Sequence, residues 1–102
     1  ASRLTFKSLW ILEADHMGIS IDSPTTRVVD CYIEDTDSNG IGVRDEGDNT
    51  VIVGCTVDDA GGDPINIDAN GENCVVVGNR TDGAVVDNSG TSTVASNDET
   101  AF

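Results

Sequence analysis

Short runs of alternating apolar residues recur along this chain at a nearly fixed interval. Asn49-Thr50-Val51-Ile52-Val53-Gly54-Cys55 is followed 24 residues later by Asn73-Cys74-Val75-Val76-Val77-Gly78-Asn79. A looser copy, Thr25-Thr26-Arg27-Val28-Val29-Asp30-Cys31, lies 24 residues before the first, and Thr91-Ser92-Thr93-Val94-Ala95-Ser96-Asn97 is a shortened echo. Repeats of about 20–30 residues that hold strands and no helix predict a solenoid.

Period-two alternation predicts two strands per coil. The first set covers Leu4 to Ile11, Val28 to Ile33, Val51 to Val57, Val75 to Thr81 and Thr93 to Asn97. Read as unbroken strands, these point Leu4, Phe6, Ser8 and Trp10 inward, then Val29, Cys31 and Ile33. Val51, Val53, Cys55 and Val57 follow, then Val75, Val77 and Asn79, with Ala95 and Asn97 last. The second set is Ile19–Ile21, Ile41–Val43, Ile65–Ile67 and Ala84–Val86, at spacings of 22, 24 and 19 residues. Together they predict an all-β domain of about four coils, each of 19–24 residues. The connections are rich in Asp, Asn and Gly, the residues of tight turns. Examples are Asp35-Thr36-Asp37-Ser38-Asn39-Gly40 and Asp58-Asp59-Ala60-Gly61-Gly62-Asp63.

One inward column, Ser8, Cys31, Cys55, Asn79 and Asn97, stacks small polar residues at a bend. Such a column bonds the backbone of its own coils, and Asn79 with Asn97 forms the start of an asparagine ladder. Cys31 and Cys55 stack on neighbouring rungs about 4.8 Å apart. That spacing admits a disulfide, while buried thiols stacked as small core hydrophobes are the commoner arrangement.

Composition fits this picture. One hundred and two residues suit one domain, and 37% apolar with 4% aromatic would make a thin globular core. A solenoid avoids the difficulty by burying each coil against the next. Nineteen acids against five bases give a net charge of −14. That sign excludes the nucleic-acid backbone as a partner. A surface this acidic stays soluble in concentrated salt, which points to a salt-loving host or simply to an extracellular protein. No run approaches the length of a membrane span.

The rungs Asn49–Val57 and Asn73–Thr81, the Gly-Ile-x-Ile and Gly-Ile-x-Val strands at Gly18–Ile21 and Gly40–Val43, and the Asn/Gly turns resemble the right-handed parallel β-helix of the pectin-lyase-like superfamily. The resemblance covers nearly the whole chain. Its ending, Gly78 through Asn97, is similar to the last coils of viral β-helix proteins. The superfamily includes polysaccharide lyases, glycoside hydrolases, epimerases and viral tailspikes, so the resemblance implies a fold more than an activity.

Candidate chemistry lies in the turns. Asp35, Asp37 and Asn39, with Gly40 and Glu46, follow the spacing of a calcium loop, in which alternate oxygen side chains wrap a hard cation. That motif belongs between helices, so a set of Asp35, Asp37 and Asn39 without Glu46 is the calcium site to test. Asp58, Asp59 and Asp63 form a second acidic cluster, a solvated turn or a carbohydrate-binding one, and Tyr32 alternates outward between Cys31 and Ile33, either as a sugar platform or in rim packing. The resemblance implies that a lyase would place an arginine over such acids, and Arg44 and Arg80 are the bases available. Hydrolases of the fold carry N-T-D-G, D-D, H-G and R-I-K in that order. Here Thr81-Asp82-Gly83, Asp58-Asp59 and His16-Met17-Gly18 run in reverse, without the last. His16 is the one histidine and has no catalytic partner in the sequence.

No catalytic set is therefore expected. The expected function is a structural or host-glycan-binding part of a viral surface spike or tail fibre, located on a virion or outside the cell. The alternative is a fragment of an extracellular polysaccharide lyase, hydrolase or epimerase. Leu4, Phe6 and Trp10 on the first coil need a covering partner: an upstream segment of a longer β-helix, a sibling subunit as in a trimer, or a larger assembly. Ala101-Phe102 is the expected plug at the other end.

Overall fold

The computed structural model describes residues 3–100. The expected Ala101-Phe102 plug lies outside them. Each coil contributes three strands. The first coil holds β1 (Leu4–Lys7), β2 (Trp10–Ile11) and β3 (Ile19–Ile21). The second holds β4 (Thr26–Val29), β5 (Tyr32–Thr36) and β6 (Ile41–Val43). The third holds β7 (Val51–Val53), β8 (Thr56–Ala60) and β9 (Ile65–Ile67), and the fourth β10 (Val75–Val77), β11 (Arg80–Thr81) and β12 (Val85–Asp87). A fifth coil begins with β13 (Thr93–Ala95). Like strands stack in parallel into three sheets, ordered β1-β4-β7-β10-β13, β2-β5-β8-β11 and β3-β6-β9-β12. The result is the β-solenoid that the repeat predicts.

The sequence suggested two strands per coil because one bend is hidden inside an apolar run. Gly54 and Gly78 adopt φ of +69° and +66°, and Ser8, Asp30 and Ser96 do the same one rung apart. A left-handed residue turns the chain and breaks the two-residue alternation. Gly54 also has no room for a side chain, since a Cβ there would lie 2.4 Å from Asp30 Oδ1. On the second to fourth coils the alternation before the bend is therefore inverted, whereas Leu4 and Phe6 on the first coil keep the expected inward register, opposite Thr26 and Val28. Val28, Ile52 and Val76 are fully buried, whereas Val29, Val51, Val53, Val75 and Val77 are half-buried. After the bend the expected residues Cys31, Ile33, Cys55, Val57 and Asn79 do point inward. The third sheet supplies Ile41, Val43, Ile65 and Ile67, all fully buried. Its last strand starts at Val85, opposite Ile65, so Ala84 is not its first residue.

Two corner columns satisfy backbone groups at the bends, and the first ties each coil to the next. In the first, Asn79 Oδ1 accepts from Cys55 N at 2.9 Å, and its Nδ2 donates to Ile52 O at 3.1 Å. Asn97 repeats this one rung on, accepting from Asn79 N at 3.0 Å and donating to Val76 O at 2.9 Å. The thiols of Cys55 and Cys31 point at the equivalent carbonyls, Val28 O and Phe6 O, both at 3.6 Å. Pairing of Trp10 with Tyr32 puts Leu9, not Ser8, at the first position of this column. Ser8 occupies the bend itself. At the second corner Thr26, Thr50 and Cys74 stack. Each donates to a carbonyl three residues back, on Ser23, Gly47 and Gly71. Among the described residues no buried side-chain nitrogen or oxygen lacks a partner.

The three cysteines are free and buried. Burial pushes the Cys55 thiol from 9.0 up to about 12 and the Cys74 thiol upward as well. A raised thiol favours the folded state below the unfolded pKa and loses that advantage as pH rises towards the folded value. Stability is thus expected to fall between about pH 9 and 12. A thiol reagent should titrate three cysteines in denaturant and few or none in native buffer. The register makes a second expectation. Ile52→Ala should cost about 2–5 kcal/mol in denaturant unfolding. Val53→Ala, on the outward side, should cost under about 1 kcal/mol.

Candidate functional site

The second sheet turns one face outward, and its side chains fall in rows. Trp10, Tyr32, Thr56 and Arg80 stand one above another in register. Glu34 stands opposite Asp58, and Asp82 follows on the next rung after Thr81 pairs with Val57. Strand geometry explains both rows: every second residue faces out, and parallel in-register coils stack equivalent positions. Trp10 is 75% exposed rather than inside the first coil. It lies over Tyr32 with ring centroids 5.6 Å apart and planes tilted by 45°, a favourable aromatic geometry.

The Tyr32 hydroxyl donates to Glu34 Oε1 at 2.5 Å, and this bond, more than any other influence, raises the phenol's pKa. Asp59 N donates to Asp82 Oδ2 at 2.6 Å, which ties the fourth coil to the third. The Asp58 carboxyl is raised by desolvation first and then by Asp82, Glu34 and Asp59. Like charges stacked one rung apart repel.

The residues expected as sites fall into three groups. Tyr32, Asp58 and Asp59 come together on the second sheet with Trp10, Glu34 and Asp82. Asp63 lies apart, its carboxylate accepting from Asn66 Nδ2 at 2.8 Å. Asn39 is engaged there too, since its Oδ1 accepts from Asp63 N at 2.8 Å. Asp35 sits inside β5 with φ of +61° and Asp37 just beyond its end, both exposed. Among the described residues no three His, Cys, Asp or Glu side chains are gathered as metal ligands would be. The sequence reading missed Trp10, Glu34 and Asp82. The missing signal was parity, because the bend at Ser8 reverses the side on which Trp10 emerges.

Apart from this face, an open groove of about 340 Å³ is lined by His16, Met17, Ser20, Ser38 and Arg44. The Met17 thioether fills the space over Gly42, where a Cβ would meet Sδ at 2.5 Å. Arg44 Nε pairs with Asp68 Oδ2 at 2.9 Å. Among the described residues no carboxylate lines this groove beside His16.

A family model described as "Right handed beta helix region" matches residues 2–100, and the chain belongs to that family. No curated protein and no solved structure matches it.

The acidic row has a measurable cost. Asp58→Asn should raise stability at pH 7 by a few tenths of a kcal/mol, with solvent screening keeping the gain small. The sign follows from the raised carboxyl: its stability is full below the unfolded value of 3.8 and lost as pH rises through the folded value. Thermal melts of the two proteins should therefore converge at low pH, and also in high salt.

Proposed function

We propose that this member of the right-handed β-helix family is a non-enzymatic, glycan-binding structural module of a surface-exposed assembly, of the kind viral spikes and tail fibres use. The observation that carries this reading is the pair of exposed Trp10 and half-buried Tyr32 on the outer face of the second sheet, beside Glu34, Asp58 and Asp82. The adjoining rings offer apolar surface for the C–H face of a sugar. Flanking carboxylates accept hydrogen bonds from its hydroxyls, and they favour neutral or amino sugars over acidic ones. The acidic surface suits an extracellular or virion location in concentrated salt.

A second reading, a fragment of a polysaccharide-processing enzyme, draws on the groove at His16. Acid–base chemistry there needs a second group within hydrogen-bond reach of the reacting atom, and the lining offers hydroxyls and Arg44 instead.

Binding to an immobilised panel of neutral, amino and uronate saccharides tests both readings. Trp10→Ala should weaken binding about tenfold, equivalent to about 1.4 kcal/mol, with an unchanged melting temperature. His16→Ala should leave binding as it was. Binding that survives both Trp10→Ala and Tyr32→Ala would remove the aromatic platform from the account. Release of unsaturated uronates from a polymer, abolished by His16→Ala, would establish the enzyme reading instead.

A further inference from the structure

We propose that the groove beside the third sheet binds a tetrahedral oxyanion group, sulfate or phosphate. Two neighbouring coils build this groove between them. His16, Met17 and Ser20 come from one, Ser38 and Arg44 from the next. Ser20 pairs with Gly42 in parallel register, and Asn66 follows on the rung after. Gly42 therefore leaves a gap in an outward-facing row, and the Met17 thioether leans over it. Backbone bonds from coil to coil hold the walls. Ser38 N donates to His16 O at 3.3 Å, and Arg44 N donates to Ile21 O at 2.8 Å.

The chemistry of the lining selects the ligand. Every polar side chain in it donates hydrogen bonds: two hydroxyls, an imidazole and a guanidinium. Among the described residues none of the chain's nineteen acids lines it. The chain has five Lys and Arg and one His, and two of these six basic side chains stand here. Arg44 Nε donates to Asp68 Oδ2 at 2.9 Å, which fixes the guanidinium and leaves its terminal nitrogens for a ligand. Asp68 offsets part of the positive charge, so recognition rests on the gathered donors more than on net attraction.

Donors on four separate residues suit an anion whose acceptor oxygens point several ways. A tetrahedral oxyanion has that shape, whereas a planar carboxylate is matched by one edge of a guanidinium. At about 340 Å³ the groove falls at the small end of ligand pockets and leaves room for the remainder of an ester. Met17 supplies apolar surface for that remainder. The groove is distinct from the aromatic face of the second sheet and does not depend on it.

His16 and Met17 are the only histidine and methionine of the chain, so the His16 imidazole and the Met17 methyl are each identifiable by NMR without further assignment. The full chain is titrated with sodium sulfate and with sodium phosphate at fixed pH, against sodium chloride and sodium acetate of equal ionic strength. Both signals should move and saturate with sulfate and phosphate, and neither should saturate with chloride or acetate. Arg44→Gln should weaken binding about tenfold and Ser20→Ala about threefold, with circular dichroism confirming the fold. Trp10→Ala should leave it unchanged, which separates this site from the aromatic platform. Tighter binding of a hexose phosphate than of inorganic phosphate assigns the group to an ester, and equal binding assigns it to the free ion. Either result supports the site. Shifts that match chloride, that saturate equally with acetate, that appear at only one of the two signals or that survive Arg44→Gln would each overturn the proposal. The titration of the unaltered chain decides the matter even if a variant fails to fold.

Discussion

Everything in this molecule depends on how the carbonyls at one corner are satisfied. Where the chain leaves the first sheet it bends through a left-handed residue, and the carbonyls of Phe6, Val28, Ile52 and Val76 turn towards the interior. An inward carbonyl with no donor costs about 1–3 kcal/mol. The column of Cys31, Cys55, Asn79 and Asn97 supplies those donors from the next coil. Each such bond crosses a rung, so it fixes the vertical register as well as the bend. The rows on the outer faces inherit that register, and so does the site.

The division of donors between thiol and carboxamide follows position in the stack. An amide accepts as well as donates, so Asn79 and Asn97 also take the backbone N–H of the preceding rung's corner residue. Thiols hold the middle of the solenoid, where hydrophobic side chains crowd the corner. Amides appear towards the C-terminal end, where coils shorten to 18 residues and apolar packing thins. There Val85 and Val94 are only partly buried against the core. Polar bonding takes over where the hydrophobic contribution declines.

Much of this was legible in the chain, and what was not has a definite cause. The repeat, the absence of helix, the buried Cys31–Cys55–Asn79–Asn97 column and the isoleucines of the third sheet could all be read directly. The third strand per coil could not, because Val53-Gly54-Cys55 reads as one continuous apolar run. Alternation carried across that bend reversed the valines before it and placed Trp10 inside. The recurrence of Asp30, Gly54 and Gly78 at one register, all residue types that tolerate a left-handed backbone, was the available signal. The site suffered most from the error. Its aromatic member emerges two residues after a bend of this kind, and its acids are neighbours only once coils lie in register.

The in-register stack also sets the unit in which this chain can change length. Val51 stands on Arg27, and Val75 on Val51, each exchange spanning a whole coil of 24 residues. Removing or duplicating such a coil joins one rung to an equivalent rung, so every corner donor still meets a carbonyl. A single added residue inside a strand would turn that strand's interior to the solvent. The same residue in a turn would pass almost unnoticed. Length in this molecule is therefore quantised along its axis and permissive around its rim, which makes the stack a ruler whose divisions can be counted in coils.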